Sequence, residues 1–107
     1  MATDERIMMS NPNTGREAVR IRVAMYEPVR DAILTALAEL DAVPFSALRS
    51  EVERRTPGEL WEDASVGWYT TVVKLHLEAS GLLTRDGSPQ VLRLTDDGRA
   101  ALDAGLP

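Results

Sequence analysis

Leu77-Glu78-Ala79-Ser80-Gly81-Leu82-Leu83-Thr84-Arg85-Asp86-Gly87-Ser88-Pro89-Gln90-Val91-Leu92-Arg93-Leu94-Thr95 holds the signals on which the fold of this chain turns. Gly81 takes the left-handed conformation that ends a helix, so a helix runs up to about Ser80. Residues 82–85 and 90–94 are short and rich in apolar side chains, and Asp86-Gly87-Ser88-Pro89 between them is a hairpin turn signal. Thr95 is a hydroxyl N-cap for a last helix over 96–104, with Asp96 and Asp97 set against its positive end and Gly105 to stop it.

Upstream of this stretch, Ser65 caps the helix that ends at Ser80, so that helix spans 66–80. Pro28 suits a first helical turn, and Val29, Ile33, Leu37 and Leu40 follow at helical spacing, which predicts a helix over 28–40. Val43-Pro44-Phe45 reads as extended, and Ser46 caps a helix over 47–55. Thr56-Pro57-Gly58-Glu59 fits a capping box for a single turn carrying Leu60 and Trp61. Val19, Ile21 and Val23 alternate with Arg20 and Arg22, the period of a strand over 18–23 with one apolar and one basic face. Asn11-Pro12-Asn13-Thr14-Gly15 is dense in turn formers, so residues 1–17 are expected to be a flexible N-terminal arm ahead of one domain over 18–107. Three helices followed by a two-stranded wing is the winged variant of the helix-turn-helix. The expected fold class is mainly α with a small β-hairpin wing.

Composition sets the limits. A chain of 107 residues fits one core, and 44% hydrophobic with 27% charged residues is the balance of a globular protein. No apolar run is long enough for a bilayer, and Met1-Ala2-Thr3-Asp4-Glu5-Arg6 has no export pattern, so the expected compartment is the cytoplasm, with no membrane contact. The absence of cysteine excludes disulfides, thiolate metal sites and thiol nucleophiles. The net charge of −5 gives no global attraction to phosphate. Its source is residues 26–64, where acids outnumber bases nine to four.

Two stretches resemble winged-helix repressors of the multidrug-resistance and phenolic-acid types. Leu77-Glu78-Ala79-Ser80-Gly81-Leu82-Leu83 is similar to the end of their recognition helix and the entry to the wing. Leu92-Arg93-Leu94-Thr95-Asp96-Asp97-Gly98-Arg99 is similar to the second wing strand and the helix after it. The chain departs from them at Lys74, where they carry an apolar residue, which predicts a recognition helix rotated relative to theirs. A closer resemblance is to a family of small uncharacterised bacterial proteins, carried by Asn11-Pro12-Asn13-Thr14-Gly15 and Ser65-Val66-Gly67-Trp68-Tyr69. It implies the same fold and no particular activity.

Projected at 100° per residue, the apolar residues of the 66–80 helix fill an arc of roughly 200°, about twice the stripe an ordinary surface helix needs. The excess fits a second covered contact, with a partner chain or the N-terminal strand, or else a helix enclosed on most sides. Trp68, Val72, Leu75 and Ala79 recur at four, three and four and read as its core face. Thr70, Thr71 and Lys74 share the polar face and carry donors suited to a major groove. Arg85 and Arg93 on the wing can approach phosphates, and Arg16, Arg20 and Arg22 can reach the backbone or minor groove as an arm. A plain solvated face is the competing reading of the same residues.

Catalytic chemistry is not expected. His76 is the only histidine and has no partner at metal-ligand spacing, so it reads as a packed side chain. Glu59, Glu62 and Asp63 lack the oxygen spacing of a calcium loop, and no Gly-rich phosphate loop or Gly-x-Ser-x-Gly elbow is present. Closely spaced Trp61, Trp68 and Tyr69 read as core, with Trp61 either capping it or anchoring an interface. No metal or cofactor is expected. Two functions remain. One is a dimeric, non-enzymatic, transcription-regulator-like protein binding double-stranded DNA through Thr70, Thr71, Lys74, Arg85, Arg93, Arg20 and Arg22. The other is a protein-interaction or homodimerisation module of the same fold that binds no nucleic acid. A positive stripe joining Lys74, Arg85 and Arg93 favours the first, and neutralisation of those cations by Glu78 or Asp86 favours the second. An apolar-faced strand at 18–23 without a partner is an aggregation hazard, which predicts a homodimer that covers it.

Overall fold

The longer helices carry aliphatic stripes that water cannot be left to cover, and these meet in one core; the described residues form four helices and two small antiparallel sheets around it. The computed structural model describes residues 5–11, 16–87 and 90–104.

The first sheet is a hairpin of β1 (Arg6–Asn11) and β2 (Arg16–Arg22). Ile7 pairs with Ile21 and Met9 with Val19, and this face is turned inward, with Met9 and Ile21 buried. Arg6 pairs with Arg22 and Met8 with Arg20 on the outward face. The strand expected at 18–23 therefore has its partner within the chain, and residues 6–11 of the expected flexible arm are that partner. The neighbouring Met8 and Met9 hide the period-two pattern in β1, because a register shift between Met9 and Ser10 breaks the alternation. Residues 12–15 of the turn-former stretch lie outside the described residues.

The chain passes from β2 straight into α1 (Val23–Leu40). The helix starts a full turn before Pro28, which was expected to open it and instead lies inside. The missing Pro28 N–H leaves the Ala24 carbonyl without its usual helical donor. Burial of Met25 and Tyr26 outweighs that loss, and Val23 N–H finds the Glu5 carbonyl at 2.8 Å. Val29, Ile33 and Leu37 are fully buried on the face the spacing predicts, whereas Leu40, the last of that series, is exposed at the helix end. Asp41, at φ +69, turns the chain out of α1.

β3 (Val43–Pro44) leads into α2 (Phe45–Arg55), which begins at Phe45 with no side-chain cap, ahead of the expected Ser46 cap. A 3₁₀ turn over Gly58–Trp61 follows. α3 (Val66–Ala79) is capped as expected, Ser65 Oγ accepting from Trp68 N–H at 3.1 Å, and Gly81 at φ +78 ends it. β4 (Leu83–Asp86) and β5 (Val91–Leu94) form the expected hairpin, whose residues 88–89 lie outside the described set. β3 adds to it, so the sheet order is β3-β5-β4. α4 (Asp96–Asp103) is capped by Thr95 Oγ1, which accepts from Gly98 N–H. A Cβ on Gly98 would lie 1.9 Å from the Leu82 carbonyl oxygen, so the entry to α4 crosses the backbone at a distance only glycine permits. Gly105, the expected stop for α4, lies outside the described residues.

α3 is rolled differently from its sequence reading. Its buried stripe is Val66, Thr70, Val73, Lys74 and Leu77. Trp68 is 47% exposed, Ala79 is exposed, and Val72 and Leu75 are half-buried, so the expected core face of Trp68, Val72, Leu75 and Ala79 points largely outward. An apolar arc of roughly 200° allows more than one centre, and packing chose. α1 takes the Val73–Leu77 side, while β1 covers a flank near His76. The N-terminal strand is thus part of the second contact that the wide arc called for.

Candidate nucleic-acid interface

The polar residues of α3 and the cations of the β4–β5 hairpin come together only in part. Lys74 is 2% exposed. Its stem lies in the core and its Nζ sits 4.8 Å from the centre of the Phe45 ring, ion-paired with Glu78 one turn along the helix and donating to Gln90 Oε1 at 3.4 Å. A buried ammonium persists only where a counter-charge and donors' partners are built around it, and Glu78 supplies the charge. The second carboxylate oxygen of Glu78 lies 3.7 Å from Arg85 Nε. One enclosed glutamate therefore binds both the helix cation and the first cation of the β4–β5 hairpin.

Arg93, on the exposed side of β5, has Asp86 Oδ2 3.6 Å from its Nε, across the hairpin. Each of Lys74, Arg85 and Arg93 thus has an acidic partner, and the positive stripe that a DNA-reading surface needs is interrupted at all three. Thr70 is buried, its hydroxyl without a partner among the described residues. Burial removes Thr70 and Lys74 from any surface a base edge can touch, a correction to the expected reading face. Thr71 alone of that face is exposed, and it donates its hydroxyl to the Gly67 carbonyl at 2.9 Å. Lys74, the position at which the sequence departs from the repressors it resembles, is kept inside and is answered there by Glu78.

Arg20 and Arg22 are exposed on the outward face of the first hairpin, joined there by Arg6. The contribution of Arg6 was invisible without the pairing of β1 to β2. Glu78 was a second omission; its sign was legible, but its place between two cations follows from the hairpin folding back over α3.

Other candidate chemistry resolves into packing. His76 Nδ1 accepts from Ser10 N–H at 3.0 Å, and its ring meets Tyr26 edge-on at 5.7 Å. Burial holds its pKa below the ordinary 6.5. Trp61 packs on the core and donates Nε1–H to Thr56 Oγ1 at 2.8 Å, while Tyr69 stands between it and Trp68. Among the described residues no group of three or more His, Asp or Glu is placed to hold a metal ion. An open groove of about 270 Å³ is lined by Pro28, Asp31, Ala32, Thr35 and Arg55. Its charged groups are already engaged, Asp31 by Arg30 at 2.9 Å and Arg55 by Glu39 and Glu51. No described helix is long and apolar enough to cross a membrane.

A model described as a family of unknown function (DUF6958) matches residues 6–93. The chain belongs to that family. The match runs from β1 into β5 and so takes in the arginine-bearing hairpin, the enclosed Lys74–Glu78–Arg85 group and the Trp61–Tyr69–Trp68 row. No curated protein and no solved structure matches the chain.

Proposed function

We propose that this chain is a non-enzymatic winged-helix module that binds protein, and that α3 and the β4–β5 hairpin do not read DNA. Support for the winged helix comes from the order α1, β3, α2, α3, β4, β5 and from β3 pairing with the second wing strand. The observation that carries the functional reading is the neutralisation of Lys74 and Arg85 by Glu78 and of Arg93 by Asp86. Phosphate affinity scales with the number of cations free to displace counterions. Cations already paired contribute little, and two base-reading candidates are enclosed. Fluorescence anisotropy of a mixed-sequence duplex tests this at low and at physiological salt. The expected result is no saturable binding that depends on α3 or the wing. Low-salt binding that weakens on Arg93→Ala, with a salt slope smaller by about one phosphate contact, would overturn it in favour of a DNA-binding regulator.

A further inference from the structure

Three arginines stand together on the outward face of the first hairpin. Arg6 and Arg22 are direct cross-strand partners, and Arg20 lies two residues along on the same face, opposite Met8. All three are exposed, and none forms an ion pair with a described carboxylate. Like charges set directly opposite destabilise a strand pair. Most other described cations have an acid beside them: Arg30, Arg54, Arg55, Lys74, Arg85 and Arg93. Among the described residues nothing answers the charge of this face, in a chain whose net charge is −5.

The complement lies elsewhere on the same chain. Glu59, Glu62 and Asp63, on and just after the 3₁₀ turn, are exposed and form no ion pair with a described residue. Trp61 at the end of that turn stacks toward Tyr69 at 5.9 Å, and Tyr69 meets Trp68 at 4.9 Å, so an aromatic row joins the acidic turn to the 47% exposed Trp68. A guanidinium binds carboxylates through its planar fork and lies favourably over an indole face. The arginines cannot meet this ledge through the hairpin's packed side. Its inward face carries buried Met9 and Ile21 and β1 packs on α3, so the arginine face is turned away from the helix that carries Trp68.

We propose that two copies of this chain associate by these surfaces, the Arg6, Arg20 and Arg22 face of each docking on the Trp68, Glu59, Glu62 and Asp63 ledge of the other. When both contacts form between the same two copies the pair closes about a two-fold axis, whereas one contact alone would run on as a head-to-tail chain, and Trp and Arg are the residues that dominate binding energy at interfaces. The inference rests on the reading of the chain as a protein-binding module and names its partner.

Sedimentation equilibrium of the full chain tests it, with circular dichroism to establish that each variant is folded. At tens of micromolar the parent protein is expected to be dimeric in about 50 mM salt, with a dissociation constant at least about tenfold higher in about 500 mM salt, where opposed charges are screened. Arg20→Glu with Arg22→Glu makes both faces acidic and is expected to give monomer. Glu62→Arg with Asp63→Arg makes both faces basic and is expected to give monomer as well. Mixed in equal amounts, the two variants regain complementary faces on both contacts, and a heterodimer is expected. A parent that stays monomeric in low salt, reversed variants that dimerise like the parent, or a mixture that stays monomeric each overturns the proposal. Duplex DNA captured by the parent and lost on Arg20→Glu with Arg22→Glu overturns it too, by assigning the arginine face to phosphate. A monomeric parent without DNA binding defeats this inference alone, whereas DNA binding that depends on Arg93 defeats the functional reading beneath it.

Discussion

Thr70→Val is expected to make the protein more stable. Thr70 lies on the buried stripe of α3 with 2% of its surface exposed, and its hydroxyl has no hydrogen-bond partner among the described residues. Thr71 beside it makes the usual helical bond to the carbonyl four residues back, so the contrast lies in the side chain's setting rather than in the helix. A buried hydroxyl left unpaired costs on the order of 1–3 kcal/mol. Valine has the same branching at Cβ and nearly the same shape, so no cavity opens, and its second methyl adds apolar burial of about 0.8 kcal/mol. Allowing for imperfect fit, the gain is about 1–2 kcal/mol, and each kcal/mol raises the Tm of a domain near this size by about 4–8 °C. Thr70→Ser keeps the hydroxyl and removes the methyl, so it is expected to lose about 1 kcal/mol. Urea unfolding followed by circular dichroism reads both, and the valine midpoint should rise with the slope unchanged. A valine midpoint at or below that of the parent would refute the reasoning, because it would mean that the hydroxyl is satisfied. The same variant probes function: a base-reading threonine would lose DNA affinity as valine, and a core threonine would not.

Glu78→Gln strands the enclosed Lys74 ammonium without its counter-charge and is expected to cost about 3–5 kcal/mol; a thermal melt within 2 °C of the parent's (under about 1 kcal/mol) would place Lys74 in solvent. Gly98→Ala drives a methyl into the Leu82 carbonyl, and chemical denaturation should find it destabilised by more than the small gain alanine brings to a helix interior; equal or greater stability would show that α4 can move aside. Trp68→Ala removes a half-exposed ring whose main contact is Tyr69, so the monomer should lose only about 1 kcal/mol, and a loss near 4 kcal/mol would return Trp68 to the core. Burial lowers the folded pKa of His76, and its Nδ1 must stay unprotonated to accept from Ser10. The unfolded chain then takes up the proton first, so this contribution to stability is complete above the ordinary value of 6.5 and is lost as pH falls below it. Urea midpoints between pH 7 and pH 5 should therefore fall less steeply for His76→Gln than for the parent (a single-group linkage effect, roughly one proton at most), and parallel slopes would remove His76 as the cause.

Much of this architecture is written locally. Ser65 and Thr95 cap their helices by side-chain bonds that span three residues, Gly81 ends α3 because its backbone reaches positive φ, and the 83–94 hairpin follows from its turn formers. Such signals act between neighbours in the chain, so one sequence suffices to find them. The alternation of Val19 and Ile21 with Arg20 and Arg22 likewise announced β2, although Val23, read as the strand's last residue, opens α1, and its partner β1 stayed hidden behind a register shift. What needed tertiary structure is the choice among faces. The apolar arc of α3 was wide enough to bury either side, and only the positions of α1, β1 and the β4–β5 hairpin turned Trp68 outward and Lys74 inward. Pro28 could be read as a helix start because the burial of Met25 and Tyr26, which pulls α1 back to Val23, is a long-range gain. The electrostatics were decided last. The charges of Lys74, Arg85 and Glu78 are plain in the sequence, but a charge acts through its distance and its dielectric surroundings, and those exist only once the hairpin has closed over the helix.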